Sequence, residues 1–106
     1  MAQSKILSLL GLATRAGKVV SGEFSTEKGI KEGKVRLAIV ANDASDNTKK
    51  LFMDKGAFYE VPVYIYSLKE EIGHAIGREM RASVGITDEG FANQLKLKLD
   101  ELEEKK

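Results

Sequence analysis

The run Val35 to Ala41, Val-Arg-Leu-Ala-Ile-Val-Ala, limits what this chain can fold into more than any other segment, because after Arg36 it is apolar at both alternating sets of positions. Successive strand residues point to opposite faces of a sheet, so a strand of this composition must be covered on both sides. That requires a sheet with helices above and below it. The chain of 106 residues is long enough for one such sandwich, and we expect residues 1–106 to form a single domain.

The other elements fall into place around this strand. Ser4 to about Arg15 has Ile6, Leu9, Leu10 and Ala13 at helical spacing with Gly17 as a stop, while Leu7 and Leu12 off that stripe suggest cover from more than one side. Val19-Val20 is a short strand, and a second helix starts at Ser21 or Gly22 and ends near Gly33. After the turn Asn42-Asp43-Ala44-Ser45-Asp46, a third helix with Leu51 and Phe52 runs to about Lys55 and stops at Gly56. Val61 to Tyr66 is β-branched and aromatic, with Pro62 near its start. Ser67-Leu68-Lys69-Glu70 has capping-box spacing and opens a helix to about Ile76. Ala82 to Ile86 is a short strand, and Thr87-Asp88-Glu89 caps a last helix striped by Leu95, Leu99 and Leu102, with a frayed end at Glu103 to Lys106. Alternation with short connections and no internal repeat gives an α/β fold, a three-layer α/β/α sandwich around a mixed sheet of about four strands.

Composition removes several kinds of chemistry. Without cysteine there is no disulfide, thiolate nucleophile or Cys-type zinc site, and a single histidine excludes most His-based clusters. The longest apolar stretches fall far short of a membrane span and the first residues lack the regions of a signal peptide, so the expected location is cytoplasmic. Gly11 to Lys18 imitates a phosphate loop but has five residues between its glycines and Val19 after the lysine, where magnesium would need Ser or Thr. His74 has no visible partner, Glu70-Glu71 and Glu103-Glu104 are adjacent on helices and diverge, and Asp43 and Asp46 fit turn and capping roles. We expect no catalytic residue, no metal and no cofactor.

Charge is informative once it is divided along the chain. Residues 1–36 carry seven Lys or Arg against three acids, residues 37–81 six against seven, and residues 82–106 four against six. The positive charge is therefore concentrated near the start, as for a local polyanion contact. Within it, Gly22 to Lys34 is helix-length with almost nothing to bury. At about 100° per residue, Ile30 with Thr26, Gly29 and Gly33 forms the inward stripe, and Phe24, Lys28 and Lys31 share the outward side. Phe24 has two readings, cover for the end of the first helix or a stacking surface for a base. An aromatic among the lysines Lys18, Lys28, Lys31 and Lys34 at a helix N-terminus suits RNA, a polyanion with flat faces.

Several segments together resemble a known family. Gly22 with Lys28 six residues on, Leu37-Ala38-Ile39-Val40-Ala41 followed by Asn42-Asp43, Val61-Pro62-Val63, and Ser67-Leu68-Lys69 leading to Ile72-Gly73-His74-Ala75-Ile76-Gly77 match in order and spacing the RNA-binding ribosomal proteins of the archaeal large-subunit L-seven-Ae type. The resemblance covers residues 5–92. The opening Leu9 to Glu23 and the ending Val84 to Ala92 look like the bacterial YlxQ branch. The resemblance implies the same sandwich and an RNA surface of Gly22, Phe24, Ser25 and Lys28, Asn42, and the loop at Arg81, Ala82 and Ser83, with phosphate contacts from Lys18, Lys28, Lys31 and Arg81. Where kink-turn binders carry an Asn-Glu pair that reads sheared G·A pairs, this chain has Phe24-Ser25, which offers a ring and one hydroxyl. The expected function is non-enzymatic binding of ribosomal or other structured RNA, with ribosomes or assembly intermediates as partners. The alternative is a protein-interaction module that keeps the fold without the RNA site, with Phe24 as its anchor.

Overall fold

The structure, a computed structural model, describes residues 2–104. Helices and strands alternate as α1 (Ala2–Arg15), β1 (Val19–Ser21), α2 (Glu23–Lys31), β2 (Leu37–Val40), α3 (Asp46–Tyr59), β3 (Val63–Ile65), α4 (Lys69–Ala75), β4 (Ser83–Ile86) and α5 (Glu89–Glu104). The strands form one mixed sheet in the order β1-β4-β2-β3, with β4 antiparallel to both of its neighbours and β2 parallel to β3. Every residue of β2 is buried, as its two-sided apolar pattern requires. Residues 105–106 of the end expected to fray lie outside the described part, and α5 continues through Glu104.

The pleat divides the sheet residues between two unlike faces. Leu37 is paired with Ile86 and Ile39 with both Val84 and Tyr64, and this set of large side chains faces α1, α4 and α5; the Tyr64 hydroxyl donates to Asp100 of α5 at 2.6 Å. Ala38, Gly85, Val20 and Val63 share the other face, under α2 and α3. Small residues there let the helices come close. A Cβ on Gly29 of α2 would stand 2.5 Å from Val35 Cγ2, and one on Gly85 of β4 2.8 Å from the same methyl. Leu7 packs against the core because α1 has α4 on one side and α5 on the other, whereas Leu12 is exposed.

Two expected boundaries move for physical reasons. The inward stripe of α2 is Thr26, Gly29 and Ile30, while Gly33 lies beyond the helix, exposed, at φ 75°. Gly56 does not stop α3. It is a buried residue inside the helix whose Cβ would meet Val63 Cγ2 at 2.5 Å and the Val61 carbonyl oxygen at 2.7 Å, and the helix continues to Tyr59 with Glu60 in the left-handed conformation at φ 58°. The glycine is there for close packing against the chain entering β3, and a non-glycine residue carries the turn.

Gly56→Ala is expected to lower stability by about 1–3 kcal/mol through overpacking, outweighing the gain of about 1 kcal/mol that Ala brings inside a helix. Glu60→Gly should raise stability by up to about 1 kcal/mol, since glycine accepts positive φ without a Cβ clash. Urea unfolding of both variants checks the two signs, and a stabilised Gly56→Ala would mean that the start of β3 can retreat from the helix.

Candidate nucleic-acid interface

The strand directions gather three helix starts at one end of the sheet. β1, β2 and β3 end there and β4 begins there, so α2, α3 and α4, which follow the first three, open at the same end. Backbone hydrogen bonds tie the row together: Gly22 N–H donates to the Ser83 carbonyl at 2.9 Å, Ala41 N–H to the Ala82 carbonyl at 2.9 Å, and Asn42 N–H to the Ser67 carbonyl at 2.7 Å.

The three helix starts are finished differently. Ser45 caps α3, its Oγ accepting from Thr48 N–H at 3.1 Å. The start of α4 is capped from a distance: Asp43 Oδ1, in the turn after β2, accepts from Lys69 N–H at 2.8 Å. The capping box expected from Ser67 to Glu70 does not form, because Ser67 sits at φ 67° and its hydroxyl donates to the Glu71 carboxylate at 2.7 Å. At α2 the capping residue is Gly22, at φ 91° and ψ 158°, with no side chain to offer and nothing within 4 Å of where a Cβ would be. The first-turn amides of α2 therefore lack a side-chain acceptor, and they lie at the positive end of the helix dipole.

Around this bare start stand the groups that could grip a nucleotide. Phe24 is 77% exposed, which rules out the reading that it covers the end of α1. Lys28, one turn on, holds its ammonium 6.0 Å from the Phe24 ring centroid, within cation–π range. Arg81 is fixed by its side chain, Nε donating to Ser21 Oγ at 3.3 Å and a terminal nitrogen to the Met80 carbonyl at 3.0 Å. Its backbone N–H donates to the Lys69 carbonyl at 3.0 Å, and the loop approaches α4 so closely that a Cβ on Gly73 would collide with the Glu79 carbonyl. Glu23 is engaged sideways, accepting from the Thr48 hydroxyl at 3.1 Å, which joins the start of α2 to that of α3.

Seven of the ten residues singled out in the sequence come together here: Gly22, Phe24, Ser25, Lys28, Asn42, Arg81 and Ala82. Three do not. Lys18 precedes β1 at the opposite end of the sheet, its carbonyl accepting from Thr87 N–H at 2.9 Å. Lys31 ends α2 about 10 Å along the axis from Phe24, with its ammonium 3.3 Å from the Glu27 carboxylate. Ser83 is fully buried on β4, and its side chain shares a face with Ala38 and Gly85, under α2. The lysines clustered in sequence from Lys18 to Lys34 are thus spread along the whole depth of the fold, because β1 and α2 run in opposite directions. Sequence reasoning missed Ser21, which anchors Arg81, and Met80, which is exposed beside it; both act through loop geometry that no periodicity encodes. Among the described residues no group of three or more His, Cys, Asp or Glu could hold a metal ion.

Asp43→Ala should cost about 0.5–2 kcal/mol, the usual range for a lost N-cap, and Asp43→Asn, which keeps an acceptor oxygen, should recover most of it. Urea unfolding of both variants tests the long-range cap, and an Asp43→Ala protein as stable as the parent would remove it.

Comparison with known proteins supplies the context for this geometry. A model of the ribosomal protein L7Ae/L30e/S12e/Gadd45 family matches residues 4–96. The RNA-binding protein YlxQ of Enterococcus faecium is 45% identical over 94 residues, covering 89% of this chain and 90% of that protein. The RNA-binding protein YlxQ of Bacillus subtilis (strain 168) is 46% identical over 92 residues, covering 87% and 92%. The solved structure of a protein from Bacillus halodurans C matches with a TM-score of 0.88 at 40% identity, covering 91% of this chain and 97% of that one.

Proposed function

Because this chain belongs to the ribosomal protein L7Ae/L30e/S12e/Gadd45 family, in its bacterial YlxQ branch, we propose that it is a non-enzymatic protein that binds structured RNA, ribosomal RNA foremost, through the sheet end built around Gly22. The observation that carries this reading is Phe24, an exposed ring with Lys28 against it at an uncapped helix start. A base stacks on such a ring, and exposed bases beside a folded backbone are what proteins read in structured RNA. The open space at Gly22 allows a phosphate to approach the free amides, and Lys28 supplies charge beside it. Arg81 uses two of its five N–H donors within the chain, which leaves three for a ligand. Lys31 extends the same face for RNA that continues along α2.

The reading separates general RNA binding from kink-turn recognition. Phe24-Ser25 offers no carboxylate to a guanine edge and no amide to an adenine edge, so the chain is a reader of shape and of an unpaired base more than of sheared G·A pairs. Among the described residues no helix is long and apolar enough to cross a membrane, and we place the protein's work in the cytoplasm, on ribosomes or their assembly intermediates.

Phe24→Ala and Lys28→Glu should each weaken binding to a ribosomal RNA fragment by at least about tenfold, or about 1.4 kcal/mol, with melting temperatures unchanged because both side chains are exposed. Binding should also fall steeply with salt. Affinity unchanged in both variants would remove α2 from the RNA surface, and a salt-insensitive complex would favour a protein-interaction module.

Phe24→Asn combined with Ser25→Glu should strengthen binding to a kink-turn duplex roughly ten- to a hundredfold, since a good bidentate base contact is worth about 1–3 kcal/mol, and should weaken binding to RNA that uses the ring. Calorimetric titration of parent and double variant against both RNAs decides it. Tight kink-turn binding by the parent, indifferent to Phe24→Ala, would overturn the placement of the helix.

A further inference from the structure

Where the last turns of α5 pass over the end of β3 they leave a cavity of about 260 Å³, lined by Leu99 and Leu102 from α5 and by Tyr64 and Tyr66 from β3 and the residue after it. The two tyrosines differ in one respect. The Tyr64 hydroxyl donates to Asp100 at 2.6 Å, whereas that of Tyr66, a residue only 8% exposed, is buried with no hydrogen-bond partner among the described residues. The Glu71 carboxylate, whose charge reaches Tyr66, accepts instead from the Ser67 hydroxyl at 2.7 Å. A buried hydroxyl without a partner is costly, and such a group marks a place where a partner can arrive from outside.

Charge around the cavity has one sign. Glu103 is the charged residue on the lining and has no ion-pair partner within 4.0 Å among the described residues. Glu71 adds to the same field, and so does the negative end of the α5 dipole, which the last turns of the helix bring here. From this arrangement we infer that the cavity receives an arginine side chain of a protein partner. Its volume is below the roughly 300–1,000 Å³ that holds a drug-sized ligand, so it suits one side chain. A guanidinium is cationic, flat and weakly hydrated, so its faces can lie against Leu99 and Leu102 at less cost than a lysine ammonium. Its five N–H donors can meet the Glu103 carboxylate, the Asn42 amide oxygen and the Tyr66 hydroxyl oxygen, all on the lining. RNA is a poor occupant, because this field repels phosphate. The inference does not rest on the RNA reading: of the lining, Asn42 alone belongs to the RNA surface.

A capped peptide with arginine between two glycines, titrated into the isotope-labelled chain and followed by amide NMR, tests it against the same peptide carrying citrulline, the neutral isostere. The arginine peptide should shift the amides of Asn42, Ser67 and Leu102 saturably, and the citrulline peptide should bind at least about tenfold more weakly for want of the charge-assisted contact. Glu103→Lys should weaken arginine binding by at least about tenfold as well, since like charges then meet. Tyr66→Phe should weaken it about threefold or more and yet resist urea as well as the parent or better, because the hydroxyl it removes is unpartnered in the free chain; a purely structural hydroxyl would give the opposite pair of results. Affinity of Tyr66→Phe for the ribosomal RNA fragment should match the parent's, and a loss there would assign the cavity to RNA instead. Absent shifts, equal binding of the two peptides, or arginine binding indifferent to both variants would overturn the inference.

Discussion

Burial of β2 on both faces is the constraint on which the rest of the molecule depends. A strand whose four residues are all inaccessible needs neighbours on both edges and helices on both faces, and β4, β3 and the two helical layers supply them. The two faces differ at the centre of the sheet. Leu37, Ile39, Val84 and Ile86 separate the sheet from α1, α4 and α5, while Ala38 and Gly85 let α2 and α3 settle closer, with Gly29 and Gly56 completing the approach. Close seating of α2 in turn fixes where its first turn emerges, and so where Gly22 meets Ser83 and Ser21 meets Arg81.

The site follows from direction as much as from residue type. Strands that end together place the helices that follow them with their positive ends together, and two of these ends are closed by Ser45 and Asp43. Closing those two and leaving Gly22 bare concentrates unsatisfied amides at one spot. Glu23, the acid in the first turn of α2, is drawn toward Thr48. Arg81 is oriented by hydrogen bonds to Ser21 and Met80, and the close contact at Gly73 seats its loop against α4. Such a site loses little freedom when it engages a ligand.

What could be read from the sequence was periodic or local. The two-sided apolar run gave away the sandwich, the spacing of Ile6, Leu9, Leu10 and Ala13 gave away α1, and Asp88 accepts from Phe91 N–H at 2.9 Å as its position before α5 suggested. What stayed hidden depended on residues distant in the chain. Asp43 reaches 26 positions to cap α4, displacing the local capping box, and Gly56 is explained by Val61 and Val63 and not by its own helix. Of the residues singled out, the nearness of Gly22, Phe24, Ser25 and Lys28 could be read from sequence because Gly22 caps one short helix and the other three lie on its first two turns. Lys18 was misplaced by the same logic, since nearness in sequence to α2 hides the length of β1 between them. In its own sequence Ser83 belongs to the strand Ala82 to Ile86, and only the family resemblance sets it with the loop before that strand; the structure has it buried on β4.

The residues that hold α2 in place and those it presents outward share no task. Thr26, Gly29 and Ile30 are buried and seat the helix; Phe24, Ser25 and Lys28 are exposed. Exchange of an exposed helical residue away from caps and ion pairs usually changes stability by no more than about 0.5 kcal/mol, so the outward positions can be replaced without disturbing the seating. This independence gives physical room for a ring and a hydroxyl where the family's kink-turn readers are expected to carry an amide and a carboxylate. Gly22 has no such freedom, because φ 91° would strain any side chain placed there. On this surface the backbone start of α2 is therefore held by the fold, while the side chains beside it can change with the ligand.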